Sequence, residues 1–90
     1  MPGGSISGVV GRIEWAYYVA AEIDGYVVTR SDDNRWSLVG TPKGSPNTYH
    51  LRQRPLLFVA PTARGALCFP IESIDVGPNH IRATLGPPLQ

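Results

Sequence analysis

Arginines interleaved with aromatic residues form the pattern in this chain with the clearest chemical meaning. No acidic residue occurs between Asp33 and Glu72, and this acid-free stretch carries five of the eight basic residues. Guanidinium groups bind phosphates while aromatic rings stack on bases, and each stacked base contributes roughly 1–3 kcal/mol. The residues of this candidate interaction surface are Trp36, Tyr49, His50, Arg52, Arg54 and Arg64. The pattern is typical of a surface that binds single-stranded nucleic acid.

The overall charge favours a protein partner instead. The formal net charge is +1 and the isoelectric point is about 7.9, well below that of strongly basic nucleic-acid-binding domains. Arginine is also common at protein interfaces, where it makes bidentate and stacking contacts. Protein binding or self-association is therefore the leading hypothesis for this surface, and single-stranded nucleic-acid binding through residues 35–64 is the alternative.

A second candidate face for binding a protein contains Tyr18, Glu14 and Glu22. Residues two apart lie on the same side of a strand, so we expect these three side chains to share one face. The two carboxylates would repel the phosphates of a nucleic acid, which makes a protein the expected partner. Glu22 and Asp24 also have the spacing of paired acids, but a solvated strand face explains them without any reaction.

No stretch of the sequence matches a catalytic or cofactor-binding motif. In GTPKGSPN the lysine precedes the second glycine and two prolines remove amide donors, so the loop does not match a phosphate-binding loop. His50 and His80 are thirty residues apart, and no G-x-S-x-G motif is present. The single Cys68 excludes an intramolecular disulfide and a multi-cysteine metal site. We predict a non-enzymatic protein with no cofactor and no metal.

Length and composition predict one small domain that spans residues 1–90, with short flexible tails at about 1–5 and 86–90. Only 17% of the residues are charged and 42% are hydrophobic, which is unlike a disordered chain. Ten glycines and nine prolines predict many turns. The longest apolar run has seven residues, too short to cross a membrane, and MPGGSISG does not resemble a signal peptide. The expected location is the cytoplasm.

The elements that position these residues are predicted to be mainly strands. Residues 13–24 alternate with a period of two, which favours a long bent strand with Trp15, Tyr17, Val19 and Ile23 turned toward the core. Three alanines in this segment keep a short helix over residues 14–23 open as an alternative. After Gly25, the segments YVVTR and RWSLV flank the turn-forming SDDN and predict a hairpin.

The second half of the chain predicts a loop, a buried strand and another hairpin. Residues 40–48 carry two prolines and two glycines and indicate a loop, after which TYHLRQ forms either a helical turn or an extended segment. LLFVA has the composition of a buried strand, PTARG of a turn, and GPNH of a turn between two further strands. Pro70 indicates an edge, a bulge or a bend. We predict a β-rich fold, a small, partly open barrel or curled antiparallel sheet of five to six short strands, with at most one short helix.

Four segments, QRPLLFVAP, FPIESI, ATLGPP and GRIEWA, give the chain a resemblance to short uncharacterised proteins encoded by tailed phages and prophages. The resemblance covers most of the chain, but its motifs concern packing and turns. It implies a phage or prophage origin and a place in the bacterial cytoplasm or a virion. No activity and no site residue follow from it.

Overall fold

The computed structural model describes residues 4–89, and these residues form a closed barrel of six antiparallel strands. The elements in chain order are β1 (Gly4–Trp15), β2 (Tyr18–Arg30), β3 (Trp36–Lys43), α1 (Thr48–Leu51), β4 (Leu56–Thr62), β5 (Gly65–Val76) and β6 (Ile81–Leu85). The order of strands around the barrel is β1-β2-β3-β6-β5-β4. The predicted small β-barrel is confirmed, although β1, β2 and β5 are longer than expected.

The opening segment is a hairpin, so both expectations for residues 14–23, the continuous strand and the helix, are wrong. Trp15 pairs with Tyr18, and Ala16 and Tyr17 form a two-residue turn. Because the chain reverses there, Tyr17 lies at the tip of the turn and is fully exposed. Val19 faces outward on β2, whereas Ile23 is buried as expected.

A bulge at Gly25 explains why one alternating pattern does not describe β2. The register with β3 shifts between Asp24 and Tyr26, and Gly25 has a φ of 75°. The shift changes which residues face inward, so Ile23 and Tyr26 are both buried although they are three positions apart. The chain therefore bends within one strand at Gly25 and does not leave the sheet there.

Aromatic rings fill the barrel where β1 has glycines. A Cβ atom added at Gly11 would lie 2.8 Å from Cε1 of Phe58, and one added at Gly8 would lie 2.5 Å from the hydroxyl of Tyr26. The Tyr26 and Phe58 rings meet edge to face with centroids 5.0 Å apart, and Phe69 lies 6.2 Å beyond Phe58. Burial raises the pKa of Tyr26, because the ionised phenolate is poorly solvated inside the barrel.

Most of the other predicted elements are also found. The turn at residues 31–35 joins β2 to β3, the LLFVA strand lies within β4, and GPNH joins β5 to β6. β3 continues to Lys43, so the predicted loop is limited to residues 44–47 and TYHL forms the short helix. Pro70 lies inside β5, close to a register shift between Ile71 and Ser73.

The carboxyl-terminal residues do not form the free tail that was expected from 86 onward. The amide of Gly86 donates to the carbonyl of Pro70 at 2.8 Å, and the amide of Leu89 donates to that of Cys68 at 2.7 Å. Residues 86–89 therefore run along β5. Of the predicted tails, residues 1–3 and residue 90 lie outside the described part of the chain. Within residues 4–89, no helix has the length and apolar character needed to cross a bilayer.

Candidate functional site: an aromatic cluster at one end of the barrel

The β1–β2 turn brings two aromatic residues together at one end of the barrel. Trp15 ends β1 and Tyr18 begins β2, and their rings stack with centroids 5.8 Å apart and planes 25° apart. Ala16, the first turn residue, has a φ of 55°. This conformation costs an L-residue about 1–2 kcal/mol, so the surrounding structure must hold the turn in place.

The helix α1 adds two more rings to this end. The side chain of Asn47 caps it by accepting a hydrogen bond from the amide of His50 at 3.0 Å. The amide of Asn47 donates to the carbonyl of Ala20 at 2.7 Å, which fixes the helix to β2. Leu51 is buried and anchors the other side. These contacts place Tyr49 and His50 over the β1–β2 hairpin.

The four rings of Trp15, Tyr18, Tyr49 and His50 form what we call the aromatic cluster. His50 is at its centre: its ring stacks on Tyr18 at 4.9 Å and lies 5.5 Å from Trp15 and 5.7 Å from Tyr49. Trp15 and Tyr49 meet edge to face at 6.4 Å. Contacts of this kind are worth about 0.5–1.5 kcal/mol each beyond simple burial, so the cluster is preorganised.

Much of the cluster faces solvent. Tyr18 is 55% exposed and Tyr49 is 65% exposed, and Tyr17 beside them at the tip of the turn is 100% exposed. Trp15 and His50 are half-buried beneath these rings. The result is an aromatic surface on a rigid base, supported by strand ends and a capped helical turn.

The charges beside the cluster are mixed in sign. Arg12 forms an ion pair with Glu14 on the same strand, and it is also directly opposite Glu22 on β2. Glu22 in turn pairs in register with Lys43 of β3. Tyr18 does not share the predicted face with Glu14 and Glu22, because Tyr18 pairs with Trp15 whereas Glu14 pairs with Val19. The two acids are balanced by the two basic side chains. A surface of this kind has no strong preference for either sign of partner.

The structure separates the six residues of the predicted basic and aromatic surface into three places. Tyr49, His50, Arg52 and Arg54 lie together in or just after α1. Arg64 lies in the β4–β5 turn, beyond the far end of β4 from α1. Trp36 pairs with Arg30, ten residues further along β2 than Ala20, where α1 is attached. The six residues do not form one surface.

The guanidinium of Arg54 is less free to bind a partner than its exposure indicates. Its Nη1 atom donates to the carbonyls of Leu51 and Gln53 at 3.1 and 2.8 Å. These bonds close the end of α1, so the guanidinium has a structural function there. Arg52 also lies beside the cluster, and within the described residues its guanidinium makes no such hydrogen bond.

Two residues of this site were missed from sequence. Both Trp15 and Tyr17 were expected in the core: Trp15 does pack against the core while it also supports Tyr18, whereas Tyr17 extends from the turn. An alanine followed by a tyrosine carries no turn signal, since two-residue hairpin turns are usually marked by glycine, asparagine or aspartate. The adjacent rings in WAYY were the only available sign, and their alternation pointed to a continuous strand.

Two buried ring nitrogens, Nδ1 of His50 and Nε1 of Trp36, have no hydrogen-bond partner within the described residues. Each such atom costs about 1–3 kcal/mol, so packing rather than hydrogen bonding positions both rings. In the same part of the chain, His, Cys, Asp and Glu side chains do not gather in groups of three or more that could hold a metal ion.

Comparisons with protein-family models, with curated protein sequences and with solved structures find no match to this chain.

Proposed function

We propose that this protein is a non-enzymatic binding module that recognises a protein partner with the aromatic cluster and Tyr17. The observation that carries the proposal is the exposure of three tyrosines, Tyr17, Tyr18 and Tyr49, side by side at one end of a small barrel. Tyr17 is fully exposed and covers none of the core, so packing of the fold does not explain its position.

Tyrosine and tryptophan are the residues that most often supply binding energy at protein interfaces. They bury a large area for the loss of only two side-chain torsions, and their polar atoms tolerate water before the partner arrives. Here Trp15 and His50 hold Tyr18 in place from below. A preformed aromatic surface pays little ordering entropy on binding, which favours affinity.

Single-stranded nucleic acid is the weaker alternative. It needs cations along the path of the backbone as well as rings for stacking. Arg64 and Trp36 lie away from the cluster, Arg54 bonds to backbone carbonyls, and the nearby Arg12 and Lys43 are balanced by Glu14 and Glu22. A protein partner fits this mixture of charges better. The phage resemblance makes bacterial or phage proteins in a bacterial cytoplasm the partners to test first.

A comparative capture experiment tests the proposal. The immobilised wild-type protein and a Tyr17→Ser, Tyr18→Ser, Tyr49→Ser triple variant are exposed to the same bacterial lysate, and retained proteins are quantified. The control is Val27→Ser with Val39→Ser, which removes exposed apolar groups from the outer barrel wall. We expect a partner retained by the wild type and the control and lost from the triple variant. Equal retention by all three proteins contradicts the proposal.

A fluorescence titration with a random single-stranded oligonucleotide at about 50 mM salt tests the alternative, because electrostatic binding is strongest at low salt. We expect no change in tryptophan emission. Quenching that is lost in an Arg52→Ser variant would replace protein binding by nucleic-acid binding as the function of the cluster.

A further inference from the structure

Among the described residues, the barrel has one long strand edge without a partner. β1 pairs with β2 along its whole length, but on its other side it pairs with β4 only through residues 12–15. Pro61 explains why this ladder is short, because a proline in β4 has no amide to donate. Within residues 4–89, no strand and no backbone hydrogen bond covers the second edge of residues 4–11.

The other unpaired strand segments are very short or carry a feature that hinders strand addition. Residues 41–43 of β3 include Pro42 and Lys43, and residues 60–62 of β4 include Pro61. Residues 72–76 of β5 carry two acids. Residues 68–70 of β5 are covered by the segment 86–89, which leaves only the three residues 65–67 open at the end of the β4–β5 hairpin. The start of β2 is covered at Ala20 by the α1 segment. Charges, prolines and covering segments are the usual means of protecting an edge.

Residues 4–11 have none of these features. Their sequence, GSISGVVG, contains no charge and no proline, and it includes β-branched residues that favour strands. Val9 is 72% exposed, more than any other large aliphatic residue in the described part of the chain. An edge with this composition can pair with another uncharged extended strand without burying an unpaired charge.

We propose that residues 4–10 pair antiparallel with the same residues of a second copy, which joins two barrels through a continuous sheet. An antiparallel arrangement of two identical edges is two-fold symmetric, so the free backbone amides and carbonyls of each strand bond to those of the other. The pairing is centred on Ser7, and it places Val9 of each copy opposite Ser5 of the other. A second copy is the partner that fits, because it supplies an uncharged, unprotected edge of the same length.

This dimer is independent of the aromatic cluster, since Trp15 lies at the other end of β1 and α1 is attached near that end, through Ala20 of β2. A single strand pair buries less surface than a standard interface of about 1,200–2,000 Å², so the association is weak and concentration-dependent. We expect a monomer at low micromolar concentration and a substantial fraction of dimer by about 1 mM.

Charge substitutions on the proposed two-fold axis test the pairing. Ser7→Lys places two lysines opposite each other, and we expect it to weaken the dimer about tenfold in sedimentation equilibrium. Ser7→Glu should have the same effect, and mixing the two variants should restore association because opposite charges then meet. Ser37→Lys is the matched control, since Ser37 is exposed on β3 and pairs with neutral Thr29 and Thr84 on its two sides.

Three outcomes overturn the proposal. A strictly monomeric wild type at about 1 mM excludes the dimer at any relevant affinity. Equal weakening by Ser7→Lys and Ser37→Lys shows a general charge effect rather than an edge contact. Association that survives Ser7→Lys but is lost in Tyr18→Ser places self-association on the aromatic cluster, a result that leaves the cluster as a binding surface and removes the β1 edge.

Discussion

The two tryptophans lie near opposite ends of β2 and have different surroundings. Trp36 pairs with Arg30 and turns toward the interior, where its ring lies 5.3 Å from that of the buried Phe69. The Arg30 guanidinium lies over its other side, 5.9 Å from the ring centroid. Trp15 also contacts the core, but its ring neighbours are Tyr18, Tyr49 and His50, which are themselves partly or largely exposed.

The turns at the two ends differ in the same way. In the β2–β3 turn, the amide of Ser31 donates to the carbonyl of Arg35 at 2.8 Å, and the Ser31 hydroxyl and the Arg35 guanidinium both contact Asp33. Polar groups there satisfy one another. The β1–β2 turn has a positive-φ alanine and a fully exposed tyrosine. One end closes the barrel, whereas the other presents rings to solvent, which is why we assign binding to the latter.

The largest expected difference between the ends is in stability. Phe69→Ala removes the ring beneath Trp36 and leaves a cavity, which should lower the free energy of unfolding by about 3–5 kcal/mol. Tyr49→Ala removes two ring contacts at the exposed end, so it should lower the free energy of unfolding by about 1–2 kcal/mol, clearly less than Phe69→Ala. Urea denaturation measures both. A cost at Tyr49 that approaches the cost at Phe69 would make the aromatic cluster part of the core.

The two turns should respond differently to glycine. Ala16→Gly relieves the positive-φ strain, but glycine also makes the unfolded chain more flexible, which offsets part of the effect. We expect the free energy of unfolding to rise by about 0.5–1 kcal/mol. Asn34, with a φ of 62°, tolerates this region better, so Asn34→Gly should change stability by only a few tenths of a kcal/mol. Thermal unfolding of both variants checks this. An equal increase in stability from Asn34→Gly would contradict the conclusion that backbone strain is concentrated beside the cluster.

The buried tyrosine between the two ends should give the protein an alkaline limit. Burial raises the pKa of Tyr26 above its usual value, so the unfolded state releases this proton at a lower pH than the folded state. Its contribution to stability is fully present below about pH 10 and is lost as the pH rises through the folded-state pKa. Tyr26→Phe should flatten the fall in melting temperature above about pH 10. If the melting temperature of the variant falls with pH as steeply as that of the wild type, other groups cause the alkaline loss of stability.

The smallest expected effect concerns Asp33 in the β2–β3 turn. The hydrogen bond from Ser31, followed by the backbone bonds and by Arg35, lowers the pKa of this carboxyl. The stabilising contribution is therefore present above about pH 4 and is lost as the pH falls through the lowered folded-state pKa. Amide chemical shifts of Ser31 and Arg35 should move together in that acidic range, and Asp33→Asn should abolish the movement. Shifts that persist in the variant would assign the titration to another group.

Sequence patterns predicted the parts of the fold in which local chemistry agrees with the final structure. GPNH and SDDN carry turn residues, and both hairpins formed there. The LLFVA segment is apolar throughout and became a buried strand. The β1–β2 turn was missed because Ala16 and Tyr17 have no turn preference, and the hairpin is imposed by pairing along the two strands. The bulge at Gly25 then changed the alternation further along β2.

The candidate site was predictable in part for related reasons. Tyr49 and His50 were identified because they lie in an acid-free stretch, and Tyr18 because it faces away from the predicted core. That Tyr18 and His50 stack on each other could not be predicted, because α1 is attached to β2 by a single loop residue, Asn47. Trp36 and Arg64 were grouped with them by proximity in sequence, but the strands carry them to other parts of the barrel.

The most direct test of the central claim uses each tryptophan as a separate reporter. A Trp36→Phe protein retains Trp15 in the aromatic cluster, and a Trp15→Phe protein retains Trp36 at the other end. Each is titrated with the partner recovered by the capture experiment while emission is followed. We predict that emission changes in the Trp36→Phe protein and stays constant in the Trp15→Phe protein. A change seen only in the Trp15→Phe protein would contradict the assignment of binding to the aromatic cluster.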